Sequence, residues 1–106
     1  MVARGEVWLT DLDPTVGHEV QKTRPCVIVS PDELNRVVRT VLIAPMTTGG
    51  WATSFRVPVV FQGKDGLVVP DQMRSIDRRR LCKRLGQLQD DDLQTLIGVI
   101  RMIFET

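Results

Sequence analysis

The stretch CVIVS, residues Cys26–Ser30, is a short run of apolar and β-branched side chains and gives the clearest indication of the fold. Such a run, closed by Pro31, predicts a buried β-strand. On its N-terminal side, Arg4–Thr10 alternates roughly between apolar and polar residues and predicts a first strand. The long polar loop Asp11–Arg24 separates the two strands, and loops of this length in compact domains commonly carry function.

Downstream of Ser30, the sequence predicts further short strands separated by turns. These strands are Val37–Met46, interrupted near Pro45, then Phe55–Phe61, Leu67–Pro70 and Arg84–Leu88. The connections are too short for the crossover helices that parallel strands need, so we expect antiparallel pairing. Pro58 cannot donate to a ladder and predicts an edge position for its strand. The residues Gln62–Gly66 predict a turn built on Lys-Asp-Gly.

The C-terminal segment predicts a helix because its apolar residues recur at helical spacing. They form one continuous stripe: Leu93, Leu96, Ile97, Ile100, Ile103 and Phe104. We expect Asp90 to cap this helix and Gly98 to mark a close approach to the sheet. The predicted fold is therefore mainly β (α+β), a small curled sheet or barrel of antiparallel strands with a C-terminal helix, in one domain over residues 1–106.

The composition excludes several classes of protein. Of the 106 residues, 42% are hydrophobic and 25% charged, which excludes a disordered chain. No apolar run approaches the roughly 20 residues of a membrane span, and the N-terminus has no secretion signal, so we expect a cytoplasmic protein with no membrane contact. The two distant cysteines, Cys26 and Cys82, predict small buried side chains rather than a disulfide framework or a zinc site.

The net charge of +1 hides an uneven distribution. Lys22–Arg84 carries twelve basic and five acidic residues, net +7, whereas each flanking segment is net −3. The densest cluster comprises Arg78, Arg79, Arg80, Lys83 and Arg84. A strongly cationic middle of the chain predicts a polyanionic partner, although such a cluster alone is equally typical of a solvated surface.

Motifs for known chemistries are mostly missing from the sequence. There is no GxxxxGK[ST], GxGxxG or GxSxG, which are typical of phosphate-binding loops, dinucleotide sites and hydrolase elbows. Asp11 and Asp13 form a pair that could bind a metal in a nuclease, but Asp13 precedes Pro14, which favours a role in a turn. The residues by themselves indicate a small β domain that binds a polyanion.

Six short motifs in series carry a more specific indication. In chain order they are GEVW (Gly5–Trp8), DLDPTVGHE (Asp11–Glu19), RPCVIVS (Arg24–Ser30), PMT (Pro45–Thr47), DQMRSID (Asp71–Asp77) and RRL (Arg79–Leu81). In this order and spacing they resemble the MazF/PemK-type endoribonuclease toxins of toxin–antitoxin systems. The sequence departs from the family pattern at Val20, where many members have Gln, and at Lys22–Thr23, where a glycine is common. These departures bear on sequence preference more than on chemistry.

The resemblance implies a fold, an activity and partners. The implied fold is a small SH3-like barrel with a C-terminal helix, working as a homodimer. The implied activity is cofactor-free, metal-independent cleavage of single-stranded RNA such as mRNA at short motifs, giving 2′,3′-cyclic phosphate and 5′-hydroxyl ends. The implied protein partner is a cognate antitoxin. The catalytic Arg and Thr of the family fall on Arg24 and Thr47.

The chemistry of RNA cleavage suggests roles for the residues around these two. Arg24 offers a fork of donors suited to phosphate, and Thr47 offers a hydroxyl, with Thr48 beside it as the competing choice. Glu19 could act as general base if burial favoured its protonated form, and we rank it above His18. The residues expected to contact RNA are His18, Thr48, Trp51, Gln72, Arg74, Arg79 and Arg80. Gln72 either reads a base edge or satisfies backbone, and Trp51 either stacks on a base or covers the end of the barrel.

Two other functions remain as alternatives. A related group of toxins with the same barrel binds DNA gyrase and is not a nuclease, but it relies on a C-terminal Trp-Gly-Ile, whereas this sequence ends Phe104-Glu105-Thr106. A catalytically inactive SH3-like interaction module would give no RNA turnover and no effect of changing Arg24 or Thr47.

Overall fold

The computed structural model describes residues 1–49 and 53–105 of the chain. Its strands are β1 (Glu6–Asp11), β2 (Thr23–Ile28), β3 (Thr40–Thr47), β4 (Val57–Phe61), β5 (Lys64–Val68), β6 (Arg74–Asp77) and β7 (Leu81–Gln87). Its helices are the single turn α1 (Asp32–Asn35) and the longer α2 (Asp90–Phe104), and 3₁₀ turns lie at Pro70–Gln72 and Arg78–Arg80. Neither helix in this part of the chain is long and apolar enough to cross a membrane.

The described strands form one curled antiparallel sheet in the order β4-β5-β3-β2-β1-β7, with β6 also paired to β3. At the tip of the β4–β5 hairpin, the Gln62 side chain donates to the Leu85 carbonyl of β7 at 2.7 Å. Because β4 and β7 lie at the two ends of the strand order, this bond links them and the sheet curls towards a barrel. The predicted small antiparallel barrel with a C-terminal helix is confirmed, and Pro58 lies on the edge strand β4, as expected.

The strand β2 is buried on both faces, which explains why CVIVS is so apolar. Val27 and Val29 belong to the apolar cluster that packs against α2, whereas Cys26 and Ile28 belong to a second cluster on the other face. Successive side chains of a strand point to opposite faces, so one strand serves both clusters. The strand begins three residues earlier than the predicted Cys26–Ser30, because Thr23, Arg24 and Pro25 already pair with β1, and it ends at Ile28.

Helix α2 begins and packs differently from the prediction. Gln89 precedes the first helical residue, Asp90, and no side-chain hydrogen bond caps this end, so the expected Asp90 cap is wrong. Leu93 and Leu96 are buried, as the stripe predicts, whereas Phe104 is 72% exposed. Ile97 and Ile100 are partly buried against the same cluster, so the stripe covers the sheet along most of the helix and leaves its C-terminal end at Phe104 uncovered.

The close approach of α2 to the sheet lies at Gly5 rather than at Gly98. A Cβ atom on Gly5, whose φ is +90°, would lie 2.8 Å from Cδ2 of Leu93. A Cβ atom on Gly98 would meet nothing within 4 Å in the described residues, so the expectation for Gly98 is wrong. Gly5 combines a left-handed backbone with a missing side chain, and both are needed where the helix crosses β1.

The observed bounds of strands β3 and β5 also differ from the predicted ones. Strand β3 continues through Pro45, because its neighbour changes there from β6 to β5 and the missing N–H interrupts neither ladder. The hairpin turn is at Gln62–Gly63, both with positive φ, so Lys64–Gly66 belongs to β5 instead of forming the turn. Strand β6 was not predicted, since Ile76 is its only buried residue and a single apolar position gives no alternation.

Candidate functional site

An open groove of about 390 Å³ lies where β2 begins and β3 ends. Its walls come from the long loop between β1 and β2, the ends of β2 and β3, the residue before β4 and the 3₁₀ turn Pro70–Gln72. Five of the predicted site residues line it: Glu19, Arg24, Thr47, Thr48 and Gln72. Residues far apart in the sequence therefore meet in one groove.

Arg24 and Thr47 are brought together by the register of β2 and β3. Cys26 is the partner of Pro45 in this antiparallel pair. Arg24 and Thr47 each lie two residues beyond this last pair, so the alternation of side chains puts them on the same face of their strands as Cys26 and Pro45, and both line the groove. The arginine of RPCVIVS and the threonine of PMT are thus neighbours because their two motifs form adjacent strands.

The Arg24 side chain is fixed at one end and available at the other. Its Nε donates to the Gln21 carbonyl at 3.0 Å, and the residue is half-buried. Neither terminal nitrogen is bonded to an acceptor within the described residues. The guanidinium can therefore present two donors to an anion in the groove.

The Thr47 hydroxyl is at present engaged with the protein. It donates to the Gly49 carbonyl at 2.7 Å, and its oxygen can still accept a hydrogen bond. Thr48 is exposed, lines the same groove and is the nearest competing hydroxyl.

Glu19 and His18 occupy different positions relative to the groove. Glu19 lines it, and its Oε1 accepts the Val16 N–H at 2.6 Å. Its side chain is exposed, so the burial that the general-base hypothesis requires is absent in this structure. His18 is exposed and is not among the residues that line the groove.

The loop that carries Glu19 is held by its own polar residues. The Asp13 carboxylate accepts the Lys22 N–H at 2.8 Å, and the Asp11 carboxylate accepts the Asp13 N–H at 3.1 Å. Lys22 has φ +72°, a left-handed backbone that glycine adopts more readily. Both aspartates thus bond to loop backbone. Within the described residues, no three His, Cys, Asp or Glu side chains cluster closely enough to hold a metal ion.

Gln72 and Arg74 support the groove from the 3₁₀ turn and β6. The Gln72 Oε1 accepts the Val20 N–H at 2.7 Å, so this side chain satisfies backbone, and the residue also lines the groove. Arg74 donates to the Leu12 carbonyl at 3.2 Å and lines a neighbouring depression that also contains Glu19 and Gln72.

A further arginine, Arg56, was missed by the sequence analysis. It lines the groove, and its Nε and Nη2 donate to the two carboxylate oxygens of Asp71 at 3.2 and 3.1 Å. This hydrogen bonding raises the pKa of Arg56 above its usual value. Nothing local in the sequence marks Arg56, because its partner lies fifteen residues away on another element.

The arginine cluster Arg78–Arg84 does not line the groove. Arg78 donates to the Asn35 and Val38 carbonyls, and Arg80 donates to the Asp11 and Asp13 carbonyls. Arg79 pairs with Asp77, and its hydrogen bonds lower the pKa of that carboxyl. These residues line two other surface depressions.

The last arginine of that cluster, Arg84, bonds to a buried carboxylate. Its Nε donates to Glu6 Oε2 at 2.7 Å, while Ala3 N–H and the Trp8 indole donate to Oε1. Burial by itself would raise the pKa of Glu6, but the three hydrogen bonds and the Arg84 charge outweigh it, so the pKa is lowered. Glu6 is therefore an ionised structural group.

The structure places one of the two cysteines in the core and the other at the surface. Burial raises the pKa of the Cys26 thiol to about 12, although the Thr10 hydroxyl and the charges of Arg74 and Arg24 act in the opposite direction. Cys26 is buried, as predicted, but Cys82 is exposed, so that part of the prediction is wrong. Trp51, a candidate for stacking on RNA, lies outside the described residues.

The sequence of this chain matches known proteins over nearly its whole length. A sequence model of the PemK-like, MazF-like toxin of type II toxin–antitoxin systems matches residues 3–104. The chain is similar to the endoribonuclease PemK of Escherichia coli, with 41% identity over 106 residues, covering 94% of this chain and 80% of the relative.

Solved structures show the same fold. MazF from Deinococcus radiodurans matches with a TM-score of 0.85 and 27% identity, covering 96% of this chain and 94% of that chain. A mycobacterial endoribonuclease in complex with its cognate antitoxin matches with a TM-score of 0.82 and 20% identity, covering 96% and 93% of the two chains. The chain belongs to the PemK/MazF family of endoribonuclease toxins of type II toxin–antitoxin systems.

Proposed function

We propose that this protein is the toxin of a type II toxin–antitoxin pair and cleaves single-stranded RNA at short sequence motifs without a metal ion. The products would carry 2′,3′-cyclic phosphate and 5′-hydroxyl ends. The observation that carries the proposal is that Arg24 and Thr47, which lie just beyond the last paired residues of β2 and β3, line the same open groove. A relative with 41% identity that is named an endoribonuclease supports the reaction class.

The proposed reaction uses the RNA's own 2′-oxygen as nucleophile. A bond forms between this oxygen and the adjacent phosphorus, and the bond from phosphorus to the 5′-oxygen breaks. Negative charge develops on the non-bridging oxygens of the phosphorane. The terminal nitrogens of Arg24 supply preorganised donors for that charge, and the Thr47 hydroxyl can turn from Gly49 to donate to the same group.

Two proton transfers accompany these bond changes. The 2′-hydroxyl loses a proton, for which we propose the Glu19 carboxylate as acceptor, because it lines the groove; since it is exposed, it would act without the help of burial. The 5′-oxygen gains a proton as it leaves. Because the groove is open to solvent, water can supply that proton.

We propose metal independence because of the side chains that this protein could offer as metal ligands. Asp11 and Asp13 form the candidate carboxylate pair, and one oxygen of each accepts a loop N–H. With a single histidine and no cluster of three ligands in the described residues, the groove relies on guanidinium and hydroxyl groups.

The proposal is tested by incubating the protein with a long unstructured RNA in excess EDTA, mapping the 5′ ends, and adding magnesium in a parallel arm. We expect cleavage at one short motif in EDTA and the same motif with magnesium. Complete loss in EDTA with complete rescue by magnesium would move the site to Asp11 and Asp13. No cleavage in either arm would favour a non-catalytic toxin that binds a protein such as gyrase.

We also propose that the protein is a homodimer. An apolar groove of about 560 Å³ beside α2 is lined by Leu42, Met73, Ile97, Ile100 and Phe104, and Phe104 is 72% exposed. Uncovered apolar patches of this kind are typical of interfaces, and a second copy offers the same self-complementary face. Light scattering should give a dimer mass for the wild type and a lower mass for Phe104→Ser.

The second proposed partner is a cognate antitoxin. The net +7 of Lys22–Arg84 favours a flexible acidic segment laid over the toxin surface. Such a segment would compete with RNA wherever it covers the groove.

A further inference from the structure

We propose that Arg56, oriented by Asp71, is a second phosphate-binding arginine of the groove and contacts an RNA backbone phosphate other than the one that is cleaved. The inference rests on the proposed RNA cleavage, and it adds a substrate contact that the sequence motifs do not include.

The Asp71 carboxylate holds the Arg56 guanidinium in one plane. Both carboxylate oxygens accept, from Nε and Nη2 at 3.2 and 3.1 Å, in the two-pronged geometry that arginine and carboxylate favour. The remaining nitrogen, Nη1, is bonded to no acceptor within the described residues. An arginine fixed in this way loses little side-chain freedom when its remaining donors bind a ligand.

The two members of the pair line different depressions. Arg56 lines the groove together with Arg24 and Thr47, whereas Asp71 lines the neighbouring depression together with Leu12 and Arg74. The Arg56 side chain is 27% exposed and the Asp71 side chain 40% exposed, and of the two only the arginine lines the groove. The groove therefore offers an RNA phosphate the cation of the pair.

The strand order assigns Arg56 to a different phosphate from Arg24. Arg24 lies on β2, and Arg56 immediately precedes β4. Strands β3 and β5 lie between β2 and β4, so three spacings of about 4.8 Å separate them, roughly 14 Å in a flat sheet. Thr47 on β3 is next to Arg24, so the cleaved phosphate lies at that end and a neighbouring nucleotide reaches Arg56.

The 3₁₀ turn Pro70–Gln72 connects both walls of the groove. Its Asp71 orients Arg56, and its next residue, Gln72, accepts the Val20 N–H of the loop that carries Glu19. A single short turn thus positions the proposed phosphate contact and the loop beside the reacting atoms. Asp71 acts through Arg56 and is a positioning residue.

The experiment measures binding of a fluorescein-labelled 2′-O-methyl RNA that contains the motif mapped for the wild type. This probe lacks the nucleophilic hydroxyl and is not cleaved. The variants are Arg56→Ala, Arg56→Lys, Asp71→Asn and the double variant Arg56→Ala with Asp71→Asn. Arg36→Ala is the matched control, because Arg36 is an exposed arginine outside the groove.

We expect Arg56→Ala to bind the probe roughly tenfold more weakly at low salt, as expected for a lost charged hydrogen bond. The slope of log K against log salt should become shallower by about 0.7, the value for one phosphate of a single strand. Arg56→Lys should keep the slope and recover part of the affinity. Arg36→Ala should match the wild type.

The variant Asp71→Asn tests whether Asp71 orients Arg56, because it leaves the charge of Arg56 in place. It should weaken binding while leaving the salt slope unchanged, because the Arg56 charge is still present. The double variant should bind no more weakly than Arg56→Ala, since Asp71 acts only through that arginine. Additive losses would overturn the positioning role.

If Arg56→Ala lowers the melting temperature but binds the probe like Arg36→Ala, the ion pair serves the fold alone and the inference is wrong. This outcome differs from failure of the proposed function, in which the wild type itself neither cleaves RNA nor binds the probe.

Discussion

The groove and the arginine cluster Arg78–Arg84 use the same residue type for different purposes. The groove draws Arg24 from β2 and Arg56 from the residue before β4, and each keeps at least one guanidinium nitrogen without an acceptor among the described residues. In the cluster, Arg78 and Arg80 bond to backbone carbonyls and Arg84 bonds to Glu6. Charge density along the sequence therefore indicates the cluster as the anion-binding region, whereas the arrangement of free guanidinium donors in the fold indicates the groove.

Arginines of the cluster and of the groove also differ in how exposed their side chains are. The Arg79 side chain is 91% exposed and its pair with Asp77 is open to solvent, where such pairs contribute little. The Arg56 side chain is 27% exposed and lies in a concave wall. Concave, partly desolvated donors bind an anion more strongly than donors on a convex surface, so the largest functional effects should come from the groove.

The largest effect should come from Arg24. Arg24→Ala should cleave RNA at least ~100-fold more slowly, the scale for removing one preorganised donor to developing negative charge. Arg24→Lys should also be poor, because an ammonium cannot replace the two-pronged fork. The measurement is the initial cleavage rate on an RNA of mapped motif, with circular dichroism to show normal folding. Wild-type turnover by the lysine variant would contradict the two-pronged role.

The next effect should come from Thr47. Thr47→Ala should reduce cleavage roughly tenfold or more, whereas Thr47→Ser should stay within about threefold, since the hydroxyl is the acting group. Thr48→Ala is the matched control, because it removes a neighbouring hydroxyl from the same groove. A larger loss in the Thr48 variant would transfer the role to that residue.

Stability, rather than cleavage, should depend on the contact between Arg84 and Glu6. Glu6→Gln should lower the free energy of unfolding by roughly 1–2 kcal/mol at neutral pH, because it removes the charge from a buried, hydrogen-bonded carboxylate. The folded-state pKa of Glu6 lies below its ordinary value of 4.5, so this stabilisation is present above that pH and is lost as the pH falls through the lowered pKa. Urea unfolding at a series of pH values measures it. A difference between the proteins that grows in acid would contradict the assigned direction.

The smallest effect should come from the exposed part of the cluster. Arg79→Ala with Arg80→Ala should weaken binding to all single-stranded RNAs alike and make the slope of log K against log salt shallower by about 1. The cleavage motif should not change, because phosphate contacts carry no sequence information. The measurement is a salt titration in an Arg24→Ala background, with cleavage mapping of the double variant alone. An unchanged slope would show that these two arginines do not face RNA.

Local patterns in the sequence predict much of this fold. CVIVS predicts a strand buried on both faces because every residue in it is apolar or small, and the stripe that begins at Leu93 predicts α2 because its spacing is helical. The motifs RPCVIVS and PMT predict Arg24 and Thr47 because both lie on strands, and strand register then brings them together.

The features that the sequence does not predict depend on contacts between residues that are far apart in the chain. Gly5 was not predicted to pack against Leu93, because 88 positions separate them and only the folded sheet brings them within contact. Arg56 was missed because its partner Asp71 is on another element. The Arg78–Arg84 cluster was taken as one surface feature because a sequence shows charge but not the carbonyls to which that charge is bonded.

The most direct test of the account compares cleavage rates of three proteins at saturating concentrations of one RNA in EDTA. They are the wild type, Arg24→Ala, and Arg79→Ala with Arg80→Ala. The account predicts a loss of at least ~100-fold for Arg24→Ala and a rate within about threefold of the wild type for the double variant. If the double variant loses activity while Arg24→Ala keeps it, the reaction does not take place in the groove.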